Sequence, residues 1–199
     1  MPDPIAHIVD DDEAIRDALG FLFRSRQVAC RSYASAEAFL KACEQEPTGC
    51  AILDIRMPGI SGFELFEMLS SKGFRLPVIF LTGHGDVPMA VAAVKKGAYD
   101  FVEKPCNDNE LVDTVIAALA FDTAQRATRG DSAKLTSRLE RLTVREQEVM
   151  TRILAGKMNK VIADELGIAM RTVEVHRARV FEKMGVKSAV ELAVILRKI

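Results

Sequence analysis

Residues 50–59 read Cys50-Ala51-Ile52-Leu53-Asp54-Ile55-Arg56-Met57-Pro58-Gly59. The apolar run 50–53, followed by a Pro-Gly turn signal, predicts a buried strand that ends at Asp54. That leaves a carboxylate at the carboxyl end of a strand, where open α/β sheets place their ligand sites. The same arrangement recurs elsewhere. Asp10 and Asp11 follow Ile5-Ala6-His7-Ile8-Val9, Thr82 follows Val78-Ile79-Phe80-Leu81, and Lys104 follows Tyr99-Asp100-Phe101-Val102-Glu103. Each of these residues alone is an ordinary loop residue. Together, three acids, a hydroxyl and a lysine at four strand ends suit a Mg²⁺-assisted phosphoryl transfer to a carboxylate.

Working outward, strand-like runs stand at 5–9, 28–33, 50–54, 78–82 and 99–103. Helix-like stretches at about 13–25, 35–44, 61–71, 87–96 and 107–120 lie between and after them. Five βα repeats predict a parallel sheet with helices on both faces, and right-handed crossovers restrict the connections. About 120 residues suit the compact doubly wound order 2-1-3-4-5 of flavodoxin-like folds. From Phe121 the sequence turns polar and reads as a linker, partly helical, over 121–137. Leu135, Leu139 and Leu142 recur at helical spacing, so its far end is expected to pack on the second domain.

After the linker, strand signals stop. Thr143-x-x-Glu146 is a capping box ahead of Val149, Ile153 and Leu154, and Gly156 ends that helix. A helix over about 159–166 ends at Gly167, and one over about 170–184 ends at Gly185. Ser188-x-x-Glu191 is a second box before Leu192, Ile195 and Leu196. Four short helices, two of them meeting at a tight glycine turn, match a helix-turn-helix. The domains are therefore expected at 3–120 and 138–199.

The net charge of −1 conceals a split: residues 1–122 carry 11 Lys/Arg against 19 Asp/Glu, and residues 123–199 carry 16 against 9. A basic second half is suited to face a polyanion. The apolar runs are too short to span a bilayer, and no basic-then-apolar secretory start is visible. Cys30, Cys43, Cys50 and Cys106 show no CxxC spacing and read as free thiols in a reducing cytoplasm. No membrane partner is expected.

In the acidic pocket, Asp10 and Asp11 are placed to hold a hard cation, Lys104 to meet phosphoryl oxygens, and Thr82 to donate a hydrogen bond. With these residues the first half resembles the receiver domains of two-component response regulators. The resemblance rests on Asp10-Asp11, Asp54 with Met57-Pro58-Gly59, Thr82-Gly83 and Lys104-Pro105. It implies that Asp54 accepts phosphate from a sensor histidine kinase. It also implies Mg²⁺ (or Mn²⁺) held by Asp11, Asp54 and the backbone carbonyl of Arg56, with Asp10 helping directly or from just outside the ligands. The Lys104–Pro105 bond would be cis. Thr82 and Phe101 would form the switch, and Arg56 and His84 would tune the lifetime of the phosphoryl group. A rival reading is a Mg²⁺-dependent phosphatase of the haloacid dehalogenase type. Those enzymes carry a second Asp two residues after the nucleophile; Arg56 stands there instead, so no carboxylate is placed to activate water. The first half is thus not read as an enzyme beyond its own phosphorylation and slow dephosphorylation.

In the basic half, Val173, Val180 and Met184 line the inward face of the 170–184 helix. Arg171, Thr172, Glu174, Val175, Ala178 and Arg179 face outward, a chemistry suited to a major groove: Arg to guanine, Glu to cytosine, Val or Ala to a thymine methyl. Asn159 and Lys160 are placed to hold phosphate at the start of the preceding helix. The stretches 142–149, 156–163, 172–176 (with His176) and 183–186 resemble a LuxR-type DNA-binding domain. That resemblance implies recognition by the 170–184 helix and dimer contacts through the last helix. Arg177, near the inner edge, is expected to pair with Glu146. Where the family usually has a capping Ser, this chain has Ala169. The whole resembles FixJ-like regulators of the NarL/FixJ class. That implies promoter DNA as partner, homodimerisation on phosphorylation, and RNA polymerase if the regulator activates, which the resemblance favours.

Overall fold

The structure is a computed structural model that describes residues 3–83 and 87–197, without the side chains of Thr82 and residues 87–90. The chain divides into two compact units, Met1–Arg126 and Ala127–Ile199. In the first, five parallel strands stand in the order β2-β1-β3-β4-β5, as the sequence predicts. They are β1 (Ile5–Val9), β2 (Cys30–Tyr33), β3 (Gly49–Leu53), β4 (Val78–Thr82) and β5 (Asp100–Glu103). Between them lie α1 (Glu13–Ser25), α2 (Ala36–Ala42), α3 (Gly62–Ser71) and α4 (Val87–Lys95), and after them α5 (Asp108–Glu140).

Alternation along the strands divides two cores. Val9, Leu53 and Phe80 point to one face and pack with Phe39, Leu65, Phe66 and Leu69 from α2 and α3. Ile8, Ile52, Ile79 and Leu81 point to the other and pack with Leu19 and Phe23 of α1 and Leu111 and Val115 of α5. Every residue of β3 is buried, so its whole run is apolar and its carboxyl end delivers Asp54 directly to the sheet's edge.

Some boundaries differ from the sequence reading. β2 starts at Cys30 rather than at residue 28, because the chain turns through Gln27 at φ 60°. The larger difference is α5, which continues through 121–137 to Glu140. The sequence reading allows a partly helical linker there; the residues are polar but, Gly130 apart, contain no helix breaker, so the solvated helix runs through the whole stretch. Its middle turns are anchored to the first unit. Asp122, 1% exposed, accepts from the Gly49 N–H at 2.8 Å and from Arg126 Nε at 2.8 and 2.9 Å. Arg126 also donates to the Pro47 carbonyl at 2.6 Å.

The second unit holds α6 (Val144–Leu154), α7 (Asn159–Leu166), α8 (Met170–Met184) and α9 (Ala189–Leu196). α7 and α8 coincide with the sequence reading, and each ends at a glycine in the left-handed region, Gly167 at φ 63° and Gly185 at φ 68°. Val149, Ile153, Ile162, Val173, Val180, Met184 and Leu192 build its core, joined by Leu135 and Leu142 and edged by Leu139. The Thr143/Glu146 capping box is complete. At α9 only half of the second box forms: Ser188 accepts from the Glu191 N–H, but the Glu191 carboxylate reaches back to the Lys187 N–H at 2.8 Å. All four cysteines are free thiols, and burial pushes Cys50 up to about 12.

Glu146 pairs with Lys183 at 2.6 Å, not with Arg177, whose guanidinium lies 5.1 Å from the Phe181 ring centroid. The reason is reach. Lys183 sits in the last turn of α8, where its ammonium meets both Glu146 and the Arg141 carbonyl. Burial pushes the Glu146 carboxyl up, but the bonds from Lys183 and Thr143 outweigh it and hold it below its ordinary value. A depressed carboxyl stabilises above its unfolded value of about 4.3, and that stabilisation is lost as pH falls through the folded value. Because the Lys183 ammonium remains partly in water, Lys183→Met should cost the second unit about 1–2 kcal/mol at pH 7. In urea unfolding the gap to wild type should close below about pH 4; a gap constant with pH would refute the pairing. At α8, Ala169 has the extended backbone of an N-cap but makes no side-chain bond. Ala169→Ser is expected to stabilise that unit by about 1 kcal/mol, seen as a raised urea midpoint; no rise would show that the helix start is already satisfied.

Candidate functional site: an acidic pocket and a basic helix face

Asp10 and Asp54 emerge at the ends of adjacent strands, because Val9 and Leu53 are register partners in β1 and β3. Lys104 follows β5, two strands from β3, and its long side chain returns over the sheet edge. Its Nζ lies 2.8 Å from Asp10 Oδ2 and 3.1 Å from Asp54 Oδ1. All three side chains are largely buried, at 6, 11 and 19% exposure for Asp10, Asp54 and Lys104. Burial opposes the lysine's charge, but the two carboxylates outweigh it and raise its pKa above the ordinary value. At neutral pH the pocket thus holds an ammonium between two acids.

Backbone bonds orient the acids. The Asp12 N–H donates to Asp10 Oδ1 at 2.9 Å, and the Arg56 N–H donates to Asp54 Oδ2 at 2.8 Å. Arg16 Nη1 bridges the carbonyls of Asp10 and Asp11, each at 2.8 Å. Asp11 and Arg56 are exposed beside the pocket. The loop after Asp54 is pinned by Ile55 and Met57, both buried in the core on that face. The Lys104–Pro105 bond is cis. Phe101 is half-buried in β5, in register with Phe80 at a ring separation of 6.5 Å. Thr82 ends β4 with its backbone paired to Glu103; its side chain, and His84 altogether, lie outside the described residues.

The donor set tests the cation expectation. Among the described residues no three His, Cys, Asp or Glu side chains converge as a metal cage. Mg²⁺ needs no such cage: one or two carboxylates, waters and a phosphate suffice. Two carboxylates held by backbone bonds, with the exposed Asp11 next in the chain to Asp10, fit a hard cation of that kind.

On the second unit, Arg171, Thr172, Glu174, Val175, Ala178 and Arg179 are all exposed on α8, opposite Val173, Val180 and Met184. His176 is half-buried, with a buried Nδ1 that has no hydrogen-bond partner among the described residues. Asn159 and Lys160 open α7, half-buried and exposed respectively. Sequence reading missed Arg16 and the Ser61/Glu64 capping box that starts α3. The Ser-x-x-Glu spacing was a legible signal for the box; nothing local marked Arg16, whose partners are backbone carbonyls.

Comparison with known proteins accords with this geometry. The family described as "Response regulator receiver domain" matches residues 6–116, and that described as "Bacterial regulatory proteins, luxR family" matches residues 140–196. The chain is 50% identical over 189 residues to the C4-dicarboxylate transport transcriptional regulatory protein DctR of Rhodobacter capsulatus, covering 94% of this chain and 96% of that one. It is 44% identical over 193 residues to the transcriptional regulatory protein FixJ of Azorhizobium caulinodans, covering 96% and 92%. The solved structure of the response regulator StyR superposes with a TM-score of 0.93 at 39% identity, covering 99% and 100%. Nothing in these likenesses supports a dehalogenase-type phosphatase. The chain belongs to the two-component response regulators of the NarL/FixJ class, phosphorylation-controlled transcription regulators that join a receiver domain to a LuxR-type helix-turn-helix.

Proposed function

We propose that Asp54 is the phosphoacceptor and that its phosphorylation by a sensor histidine kinase controls promoter binding through α8. The observation that carries this reading is the ammonium of Lys104 shared by Asp10 and Asp54. It marks a site built to balance negative charge. An Asp54 carboxylate oxygen attacks phosphorus, the P–N bond of the kinase phosphohistidine breaks, and the imidazole nitrogen keeps the electron pair. Lys104 then exchanges the Asp54 carboxylate for a phosphoryl oxygen, and the Thr82 hydroxyl donates to another. Asp11, Asp54 and the Arg56 carbonyl, with Asp10 beside them, would hold Mg²⁺ (or Mn²⁺). When bound, this cation offsets the repulsion between the carboxylate and the incoming phosphoryl group. Phe101, next to Phe80 in the same core, is the aromatic that fills the space Thr82 leaves. Arg56, exposed beside the pocket, and His84 set how long the acyl phosphate lasts. Beyond this self-modification the protein turns over no substrate.

The receiver occupies 3–120, the connecting residues 121–137 and the DNA-binding domain 138–199. Phosphorylation promotes homodimerisation and frees α8. Arg171, Thr172, Glu174, Val175, Ala178 and Arg179 then read bases, while His176, Asn159 and Lys160 secure the backbone. The regulator acts in the cytoplasm, contacting RNA polymerase as an activator. No helix among the described residues is long and apolar enough to cross a membrane.

Asp54→Asn should abolish labelling by acetyl phosphate, with the wild-type label located on Asp54 by mass spectrometry. A variant labelled to the wild-type level removes the assignment. For DNA, affinity should fall steeply with salt. Lys160→Ala should lower affinity alike for all operator sequences and reduce the log–log salt slope by about 1; a change confined to one base position would instead make Lys160 a reader.

A further inference from the structure

We propose that Gly62 and Glu37 are positioning residues for the phosphoacceptor, fixing the loop from Asp54 to Ser61 in the form that presents the Asp54 carboxylate to Lys104. This rests on Asp54 being the phosphoacceptor.

Gly62 is buried at the first position of α3, and its N–H donates to the Ile55 carbonyl at 3.1 Å. A Cβ there would stand 2.0 Å from the Asp54 carbonyl oxygen, 2.9 Å from its carbonyl carbon and 3.3 Å from the Ile55 Cα. These are backbone atoms and cannot swing aside. The requirement is for space rather than for an unusual dihedral, because Gly62 is not among the residues at positive φ. The bare backbone of α3 therefore closes directly on the Asp54 peptide. Any side chain at position 62 must push Asp54 away from Lys104 or lift α3 off the sheet.

Glu37 holds the same loop from the other side. It lies in the first turn of α2, and its Oε1 accepts the Ile60 N–H at 3.3 Å. Gly59 passes under this carboxylate at φ 75°, and a Cβ there would meet Oε1 at 2.8 Å. The loop is thus closed at Ile60 by Glu37 and at Ser61 by the capping box with Glu64. Its far end meets Asp54 through Gly62. Arg56, whose N–H orients the Asp54 carboxylate, stands between these fastenings. Groups that orient a ligand set from behind typically change metal affinity or activity about 10–100-fold when removed.

The test uses the full-length protein and two readouts: the initial rate of Asp54 labelling by acetyl phosphate per folded molecule, and calorimetric Mg²⁺ affinity without a donor. Gly62→Ala is expected to lower both by about tenfold or more. Glu37→Ala should lower both by about threefold to tenfold, the worth of one hydrogen bond, and Glu37→Gln, which keeps an accepting oxygen, should regain most of the loss. Gly73→Ala is the control: at φ 75° with open space around it, the substitution strains the backbone remote from the loop. It should lower the melting temperature while leaving both readouts within about twofold of wild type. Gly62→Ala and Glu37→Ala both within that margin, or Gly73→Ala matching their losses, overturns the inference. Should Gly62→Ala fail to fold, the Glu37 pair decides alone. A wild type that takes no label on Asp54 would instead defeat the phosphoacceptor reading itself.

Discussion

One ammonium group between two nearly buried carboxylates organises the first unit. Asp10 and Asp54 come within reach of a single cation because parallel pairing of β1 and β3 aligns their ends, and Lys104 reaches both from β5. Removing a carboxylate from water is costly, and bringing a second one close adds repulsion. The arrangement persists because the lysine charge and backbone N–H donors from Asp12 and Arg56 compensate it. It is also primed to respond to added charge. On the proposed phosphorylation, a phosphoryl group on Asp54 would alter the balance that Lys104 holds, so a local electrostatic event would bias packing around the strand ends.

The strand that carries Asp54 is held at both ends. At its start, the Gly49 N–H is bound by the buried Asp122, which Arg126 neutralises. At its close, α3 presses its first glycine against the Asp54 peptide. Between the two, every side chain of β3 is buried. This strand has little freedom to absorb a change at Asp54. The turns of α5 that bind its start belong to the same helix that continues into the second unit.

The second unit is stabilised by different means. Its small core is formed by stripes from α6, α7, α8 and α9. Its buried charge, Glu146, serves the structure: it closes the cap of α6 and ties α6 to the last turn of α8 through Lys183. Arg138 donates to the Met184 carbonyl at 2.8 Å and so satisfies the same end of α8. With both of these cations engaged in packing, the outward face keeps Arg171 and Arg179 exposed on the solvent side.

Periodicity and punctuation in the chain were sufficient for much of this. Apolar runs closed by Asp or Thr marked three of the strands and the strand-end location of Asp10, Asp54 and Thr82, and the alternation of five strand-like with five helix-like stretches gave the parallel sheet and placed Lys104 after the last strand. Glycine stops determined α7 and α8 to the residue, since a left-handed terminus is a local property of the backbone. Other features depended on groups far apart in sequence. The chain alone did not reveal that Lys104 bridges Asp10 and Asp54, because that contact depends on strand register and side-chain reach. It misassigned the partner of Glu146, since a helical wheel gives direction but not distance. It read 121–137 as a linker with some helix but not that one helix runs unbroken to Glu140, because polarity reports solvation, not backbone conformation. The need for glycine at position 62 was decided only by tertiary structure: it arises where one backbone closes on another, a contact that leaves no trace in local composition.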